Sequence, residues 1–339
     1  MGTGYKVAVF GAYGHTGRFV VAELRERGFE VLAVGRDEVK LRDVAGPEIE
    51  LRQATIGVAA SLNRALEGAD AVINAAGPFA ETGAPVVEAA LRAGIPYLDV
   101  AAELEANIDT FADFADRAAG MTVIPAMAFF GGLGDLLVTA AMADWTSADE
   151  AHIAYALSNW HPTTGTRAAG QVSRDRRGGQ RLRFSGGRIE RRDDALPSLD
   201  WDFPAPLGKK AVLGEFTMAD VVTVPSHLDI PEVVTYMTVD AAREVVGPDT
   251  PTPAAVDETG RSSQTFVVDV VVRSGGEERR IVARGQDIYA VTAPLVVEAV
   301  ERVLDGRVKA SGVVSAGKMF DADSFLTALA PHVTVEKLA

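Results

Sequence analysis

The run Val7-Ala8-Val9-Phe10-Gly11-Ala12-Tyr13-Gly14-His15-Thr16-Gly17 constrains this chain more than any other stretch. A short apolar strand enters three glycines at every third position and then a helical pattern. Gly11 lets the backbone turn off the strand, Gly14 lets it approach a pyrophosphate, and Gly17 lets the helix pack close to the strand. The helix from Thr16 then points free N–H groups and its positive dipole end at the phosphates. With Tyr13, His15 and Thr16 between and beside the glycines, the stretch reads as the cofactor turn of a dinucleotide site.

The following residues repeat the strand and helix alternation. A helix over Arg18 to Gly28 leads to a second strand, Glu30 to Val34, which ends in Gly35-Arg36-Asp37. An acidic residue there would accept hydrogen bonds from the ribose 2′-hydroxyl of NAD. Gly35 instead leaves room for a 2′-phosphate that Arg36 can grip, with Lys40 as a second cation. The expected cofactor is therefore NADP(H), and Asp37 keeps NAD(H) as the weaker alternative. A third strand is expected near Ile49 to Ala54, a helix over Ala59 to Leu66, and a fourth strand over Ala71 to Ala75. That strand runs into Ala76-Gly77-Pro78, a small-residue turn expected to face the cofactor from the carboxyl end of the sheet. A helix over Ala84 to Ala93 leads to Tyr97, Asp99 and Glu103, near another strand end, with Asp99 as a further cofactor contact. A helix near Asn107 to Ala119 and a strand over Met121 to Pro125 complete five or six parallel elements, the pattern of a doubly wound sheet.

The pairing of Gly11-x-x-Gly14-x-x-Gly17 with NAAGPFAETGAPVVEAALRAGIPYLDVAAE, Asn74 to Glu103, resembles the NADP-binding domain of the saccharopine dehydrogenase-like family. That family includes saccharopine reductases and trans-acting enoyl reductases. The resemblance continues in Phe129-Phe130-Gly131-Gly132-Leu133-Gly134-Asp135, at Gly285 to Ala293, and at Gly312-Val313 and Phe325-Leu326. The chain departs at Ala101-Ala102-Glu103, where the family often has a glycine before the Glu. The resemblance implies that Gly165-Thr166 matches a glycine-threonine turn near the active site.

After about Thr146 the alternation gives way to strand-rich segments. Ala151 to Ser158, Arg181 to Phe184, Val233 to Val239 and Thr265 to Arg273 read as strands, with a hairpin turn at Ser274-Gly275-Gly276-Glu277 into Glu278 to Arg284. An antiparallel sheet is the simplest arrangement. The basic run Ser173 to Gly179 reads as a solvated loop or a mobile flap over an anionic ligand, and Pro248 to Ser263 as a long surface connection. Helices over Thr292 to Leu304 and Ala322 to Leu329 are expected to return to the first domain. The expected fold is α/β: a Rossmann-type dinucleotide-binding domain over 1–145, an inserted α+β domain on a mostly antiparallel sheet over 146–290, and C-terminal helices over 291–339. The substrate cleft is then the seam between the first two.

In a nicotinamide enzyme the protein supplies position, electrostatics and a proton. His161, Tyr97 and Tyr289 are the candidate proton donors. Arg167 could hold a carboxylate, and Phe129, Trp160 and Thr166 are further candidates to line the substrate site. The arginines of the 173–179 run suit a carboxylated substrate, and the aromatics suit an acyl one. The five histidines show no HxxxH or HxH spacing, so no metal site is expected. Gly312 to Gly317 before Lys318 has the spacing of a phosphate-binding loop, but Met319 stands where a magnesium-binding hydroxyl is needed.

With 33 basic and 47 acidic residues the net charge is −14, which argues against a nucleic-acid partner. No apolar run approaches the ~20 residues of a membrane span. The lack of cysteine and of a signal-peptide pattern fits a cytoplasmic protein. An exposed antiparallel sheet makes a homodimer a reasonable expectation. The leading functional reading is an NADPH-dependent reductase acting on a C=N or C=C bond of a small metabolite or acyl thioester. The alternative is a non-catalytic NADP(H)-binding sensor or partner protein.

Overall fold

Strands covered by helices on both faces must be apolar throughout, and the first apolar runs of this chain meet that condition. The computed structural model describes residues 3–44, 46 and 49–338. Its first part comprises β1 (Lys6–Phe10), α1 (His15–Glu26), β2 (Glu30–Gly35), α2 (Glu38–Arg42), β3 (Ile49–Gln53), α3 (Ala59–Leu66), β4 (Ala71–Asn74), α4 (Phe79–Ala93), β5 (Tyr97–Asp99), α5 (Leu104–Phe114) and β6 (Thr122–Ile124). These strands pair in parallel in the order β6-β5-β4-β1-β2-β3. The order reverses between β1 and β4, where such a sheet opens a crevice at its carboxyl edge.

An irregular turn, Phe129–Leu133, and α6 (Gly134–Met142) lead out of this sheet. There follow β7 (Glu150–Leu157), α7 (Thr164–Arg177), β8 (Arg181–Ser185), β9 (Arg188–Arg192), β10 (Ser198–Phe203), β11 (Gly208–Gly214), α8 (Asp220–Thr223), β12 (Glu232–Thr238), α9 (Val239–Val246), β13 (Thr265–Ser274) and β14 (Glu277–Gln286). The chain then runs through α10 (Thr292–Leu304), β15 (Gly312–Val313), α11 (Ala316–Met319), α12 (Ala322–Ala328) and β16 (Val333–Leu338).

The second sheet has the order β10-β11-β12-β7-β13-β14-β16, with β8 joined to β12 and β9 to β8. Its pairings are antiparallel except for β12 with β7. The sheet curls strongly: Trp201 on edge strand β10 donates its indole N–H to Asp269 on β13 at 2.8 Å, although β11, β12 and β7 lie between them. Arg280 of β14 clamps the same buried carboxylate at 2.6 Å.

The basic run expected as a loop or flap is instead helical. Ser173 to Arg177 form the last turns of α7, and Gly178 ends the helix in the left-handed conformation that glycine adopts without strain. The helix is fastened to α5 by Ser173 and Arg177 on Glu105 and by Arg176 on Asp109 at 2.8 Å.

The C-terminal elements reach both sheets. α10 packs on α1, with Arg27 bound to Glu298 at 2.6 Å and Glu301 at 3.1 Å, and the Tyr5 hydroxyl donates to the Leu304 carbonyl at 3.1 Å. β15 extends the parallel sheet beside β6, whereas β16 pairs antiparallel with β14 in the other. Among the described residues no helix is long and apolar enough to cross a membrane.

Candidate cofactor and substrate cleft

The turn after β1 is shaped by what its glycines lack. Gly11 has a φ of +89°, and a Cβ there would come within 2.8 Å of the Ala76 Cβ. At Gly17 a Cβ would run into the Gly11 carbonyl oxygen, so the helix and the turn touch through bare backbone. No side chain caps α1, which leaves its first amides without intrahelical acceptors and open to an anion. The bare turn and the uncapped helix form a cradle that fits a dinucleotide pyrophosphate.

Opposite this turn, Asn74, Thr82 and Glu103 hold the 75–80 segment. The Asn74 amide donates to Thr82 Oγ1 at 3.2 Å and its oxygen accepts the Ala76 N–H at 3.1 Å. Glu103 accepts the N–H groups of Phe79 at 2.8 Å and Ala80 at 3.2 Å. A carboxylate from a later loop thus caps α4, which is why that helix begins at Phe79, ahead of the expected Ala84. Gly77 and Pro78 line the cleft beside Ala76.

Gly35 does not leave an open space for a phosphate. A Cβ there would lie 2.5 Å from Tyr13 Cε1, so the absent side chain makes room for the Tyr13 ring. Arg36 follows on the surface and lines the cleft, with no carboxylate within ion-pair distance among the described residues. Lys40 lies 4.0 Å from Asp37 and 6.0 Å above the Tyr13 ring. Asp37 Oδ1 caps α2 by accepting from the amides of Val39 and Lys40, at 3.0 and 3.2 Å.

Tyr97 and Asp99 are not brought to the cleft. Tyr97 is fully buried, and its hydroxyl donates to Asp99 Oδ2 at 2.9 Å. Asp99 Oδ1 accepts the N–H groups of Ala101 and Ala126, at 3.0 and 2.8 Å, tying β5 to the start of the crossing segment. Burial pushes this carboxyl up to about 6. A residue at a strand end can point to either layer, and these two point inward.

The seam between the sheets is a cleft of about 1290 Å³, larger than the ~300–1,000 Å³ typical of a site for one small ligand. Tyr289, just after β14, enters it from one side. Its hydroxyl lies 3.0 Å from Thr166 Oγ1 and 3.3 Å from the His161 carbonyl oxygen, and the Thr163 N–H approaches it at 3.4 Å. Thr163 caps α7 by accepting the Thr166 N–H at 3.0 Å. From the other sheet, His15 presents its ring edge to Tyr289 with centroids 5.2 Å apart, and its Nε2 is buried without a partner. Burial lowers the His15 pKa and raises that of Tyr289, so a neutral imidazole faces a protonated phenol.

Of the other candidates, His161 contributes its backbone carbonyl to Tyr289, and its imidazole is not part of the cleft wall. Arg167 lines the cleft, yet its guanidinium is committed to the carbonyls of Gly247 at 3.1 Å and Thr250 at 2.7 Å. Phe129 and Trp160 are buried in the wall on either side of Phe130, whose ring centroid lies 4.8 Å from Phe129 and 5.2 Å from Trp160. Below them the Tyr155 hydroxyl donates to Asp220 Oδ1 at 2.8 Å, and burial pushes Asp220 up to about 7. The sequence reading missed this buried pair, and it named Asp135 in the family-like block without its partners: Asp135 lies 2.8 Å from His227 Nε2 and accepts the Gly317 N–H at 2.7 Å. That bond takes an amide from the Gly312 to Gly317 run that a phosphate-binding loop would need.

An NAD(P)H-binding family model matches residues 11–122. A lipid droplet localized protein of Caenorhabditis elegans is 34% identical over 113 residues, which span 29% of this chain and 26% of that relative. Over its whole length the chain matches apo saccharopine dehydrogenase (L-Glu forming) of Saccharomyces cerevisiae, with a TM-score of 0.67, 13% identity, and coverage of 99% of this chain and 100% of that one. A quinone oxidoreductase of Escherichia coli, NADPH-dependent and complexed with NADPH, matches half of the chain at 22% identity and a TM-score of 0.32.

Proposed function

We propose that this chain, whose fold is that of saccharopine dehydrogenase, is an NADPH-dependent reductase acting on a C=N or C=C bond. The observation that carries the reading is the juxtaposition, in one open cleft, of the glycine turn at Gly11 to Gly17 with the Tyr289 and Thr166 hydroxyls. The α1 amides, the Gly14 backbone and Arg36 would hold the dinucleotide, with Arg36 at a 2′-phosphate. NADPH held there would supply a hydride to one atom of the double bond and become NADP⁺, and a proton would complete the other atom. The Tyr289 and Thr166 pair holds a proton within the cleft, and Tyr289 remains protonated because its burial disfavours the phenolate. Phe129, Phe130 and Trp160 give the acceptor an apolar wall.

The open volume supports an enzyme over a cofactor-binding sensor, which needs no room for a second ligand. The decisive experiment is a screen of NADPH oxidation against enoyl thioesters and against pairs of amino acid and oxo acid. Turnover with either set supports the reductase reading. NADPH binding without turnover on both sets favours the sensor.

A further inference from the structure

Several arginines line the substrate half of the cleft, and their pairing limits what the cleft can accept. Arg177 lies 3.1 Å from Glu105. Arg181 binds Glu215 at 2.7 Å and Asp194 at 3.1 Å, and Arg192 meets Asp194 at 2.9 Å. Arg167 is spent on backbone carbonyls, as described above. Besides Arg167, Arg174 is the arginine of this group that meets no carboxylate among the described residues, and its contact is the Gln171 side-chain oxygen at 2.8 Å, which leaves it the one not already committed to carbonyls or acids. A di- or tricarboxylate would have to strip these arginines from their acids, leaving partly buried carboxylates without partners.

The apolar part of the wall lies together. Phe130, Trp160 and Phe216 form a continuous aromatic row, with centroids 5.2 Å apart between the first two and 6.3 Å between the last two. Met218 and Leu196 extend it. Trp160 is buried, and its indole N–H lies near the Tyr289 hydroxyl without forming a hydrogen bond of normal geometry. A carbonyl oxygen on a ligand seated along the row would face the Tyr289 and Thr166 hydroxyls, which line the same cleft.

We propose that the second ligand is an acyl or aryl carbonyl compound with an apolar body and at most one acidic group, which Arg174 meets at the cleft wall. This inference rests on the reductase reading for the ligand's role, and on the wall alone for its chemistry. The arginines paired with Glu105, Glu215 and Asp194 build the wall and do not bind substrate.

The test uses the full chain, with and without saturating NADPH, titrated with decanoate and with glutarate while tryptophan fluorescence is followed. Decanoate is expected to bind about tenfold or more tighter than glutarate in both states, because it buries methylenes and needs one cation. Phe216→Ala should weaken decanoate and leave glutarate unchanged. Glu105→Gln or Glu215→Gln should release an arginine and strengthen glutarate, with thermal melting used to confirm folding. Equal or tighter glutarate binding by the unmodified chain overturns the inference, as does failure of both acids to bind. Absence of NADPH binding with the decanoate preference intact counts against the reductase reading and leaves the ligand class standing.

Discussion

The Tyr289 hydroxyl lies 3.0 Å from Thr166 Oγ1, joining the end of the β13 and β14 hairpin to the first turn of α7 inside the cleft. Replacing Tyr289 with Phe removes the proton and keeps the ring packed on His15. Turnover of an accepted substrate should fall by ~10²–10⁴-fold, the usual range for a lost general acid, with NADPH affinity unchanged. A variant with near-normal kcat would place the proton source elsewhere. Stopped-flow NADPH oxidation and a cofactor titration together give both readings.

Arg36 is exposed at the carboxyl end of β2 and meets no carboxylate among the described residues, whereas Asp37 is used as a helix cap. Arg36→Ala should weaken NADPH by about 10–100-fold, as expected for a lost hydrogen bond to a charged group, and leave NADH nearly unaffected. Equal losses for the two cofactors would remove Arg36 from the 2′-phosphate.

At Gly17 there is no volume for a methyl group, because the Gly11 carbonyl oxygen occupies it. Gly17→Ala should cost ~1–3 kcal/mol of stability through overpacking and reduce NADPH affinity more than tenfold by displacing the turn. Calorimetry of the empty and cofactor-mixed variant separates the two effects. Wild-type cofactor affinity would show that the turn tolerates the shift.

Asp220 carries a proton up to about pH 7 when folded, against about 3.8 when unfolded. The folded state therefore binds more protons between those values, and stability falls as pH rises from about 4 through 7. Asp220→Asn keeps an acceptor for the Tyr155 hydroxyl and never ionises. Its melting temperature at pH 8 should exceed that of the wild type by about 2–4 °C or more, and the difference should vanish near pH 4. The Asp99 contribution, centred near 6, remains in both proteins as an internal control. Parallel melting curves across this pH range would contradict the assignment.

The parallel sheet was legible because its central strands β1, β2 and β4 are apolar on both faces and its glycines sit where the backbone must bend or touch. The Val-rich β13 and its hairpin partner β14 were legible from their residue types and the Ser274 to Glu277 turn. β9, β10 and β11 were not, because Arg188 to Arg192, Ser198 to Phe203 and Gly208 to Gly214 are mostly exposed and polar. α7 was half legible: its start at Thr163 to Thr166 could be read, but its last turns are held by arginines on the acids of α5, a tertiary effect absent from local sequence. In the cleft, sequence could find Tyr289 and Trp160 as candidates. It could not tell that Tyr97 and Asp99 face each other in the core, or that Glu103 caps a helix that begins before it in the chain.

The final stretch of chain gives β15 to one sheet and β16 to the other, with α12 packed on α6 between them. The same short stretch of chain is thus hydrogen-bonded into both sheets. Across the cleft, α7 is the element that ties these layers together a second time, held at one end by Thr166 on Tyr289, in its first turns by Arg167 on the Gly247 and Thr250 carbonyls, and at the other end by Arg176 and Arg177 on α5.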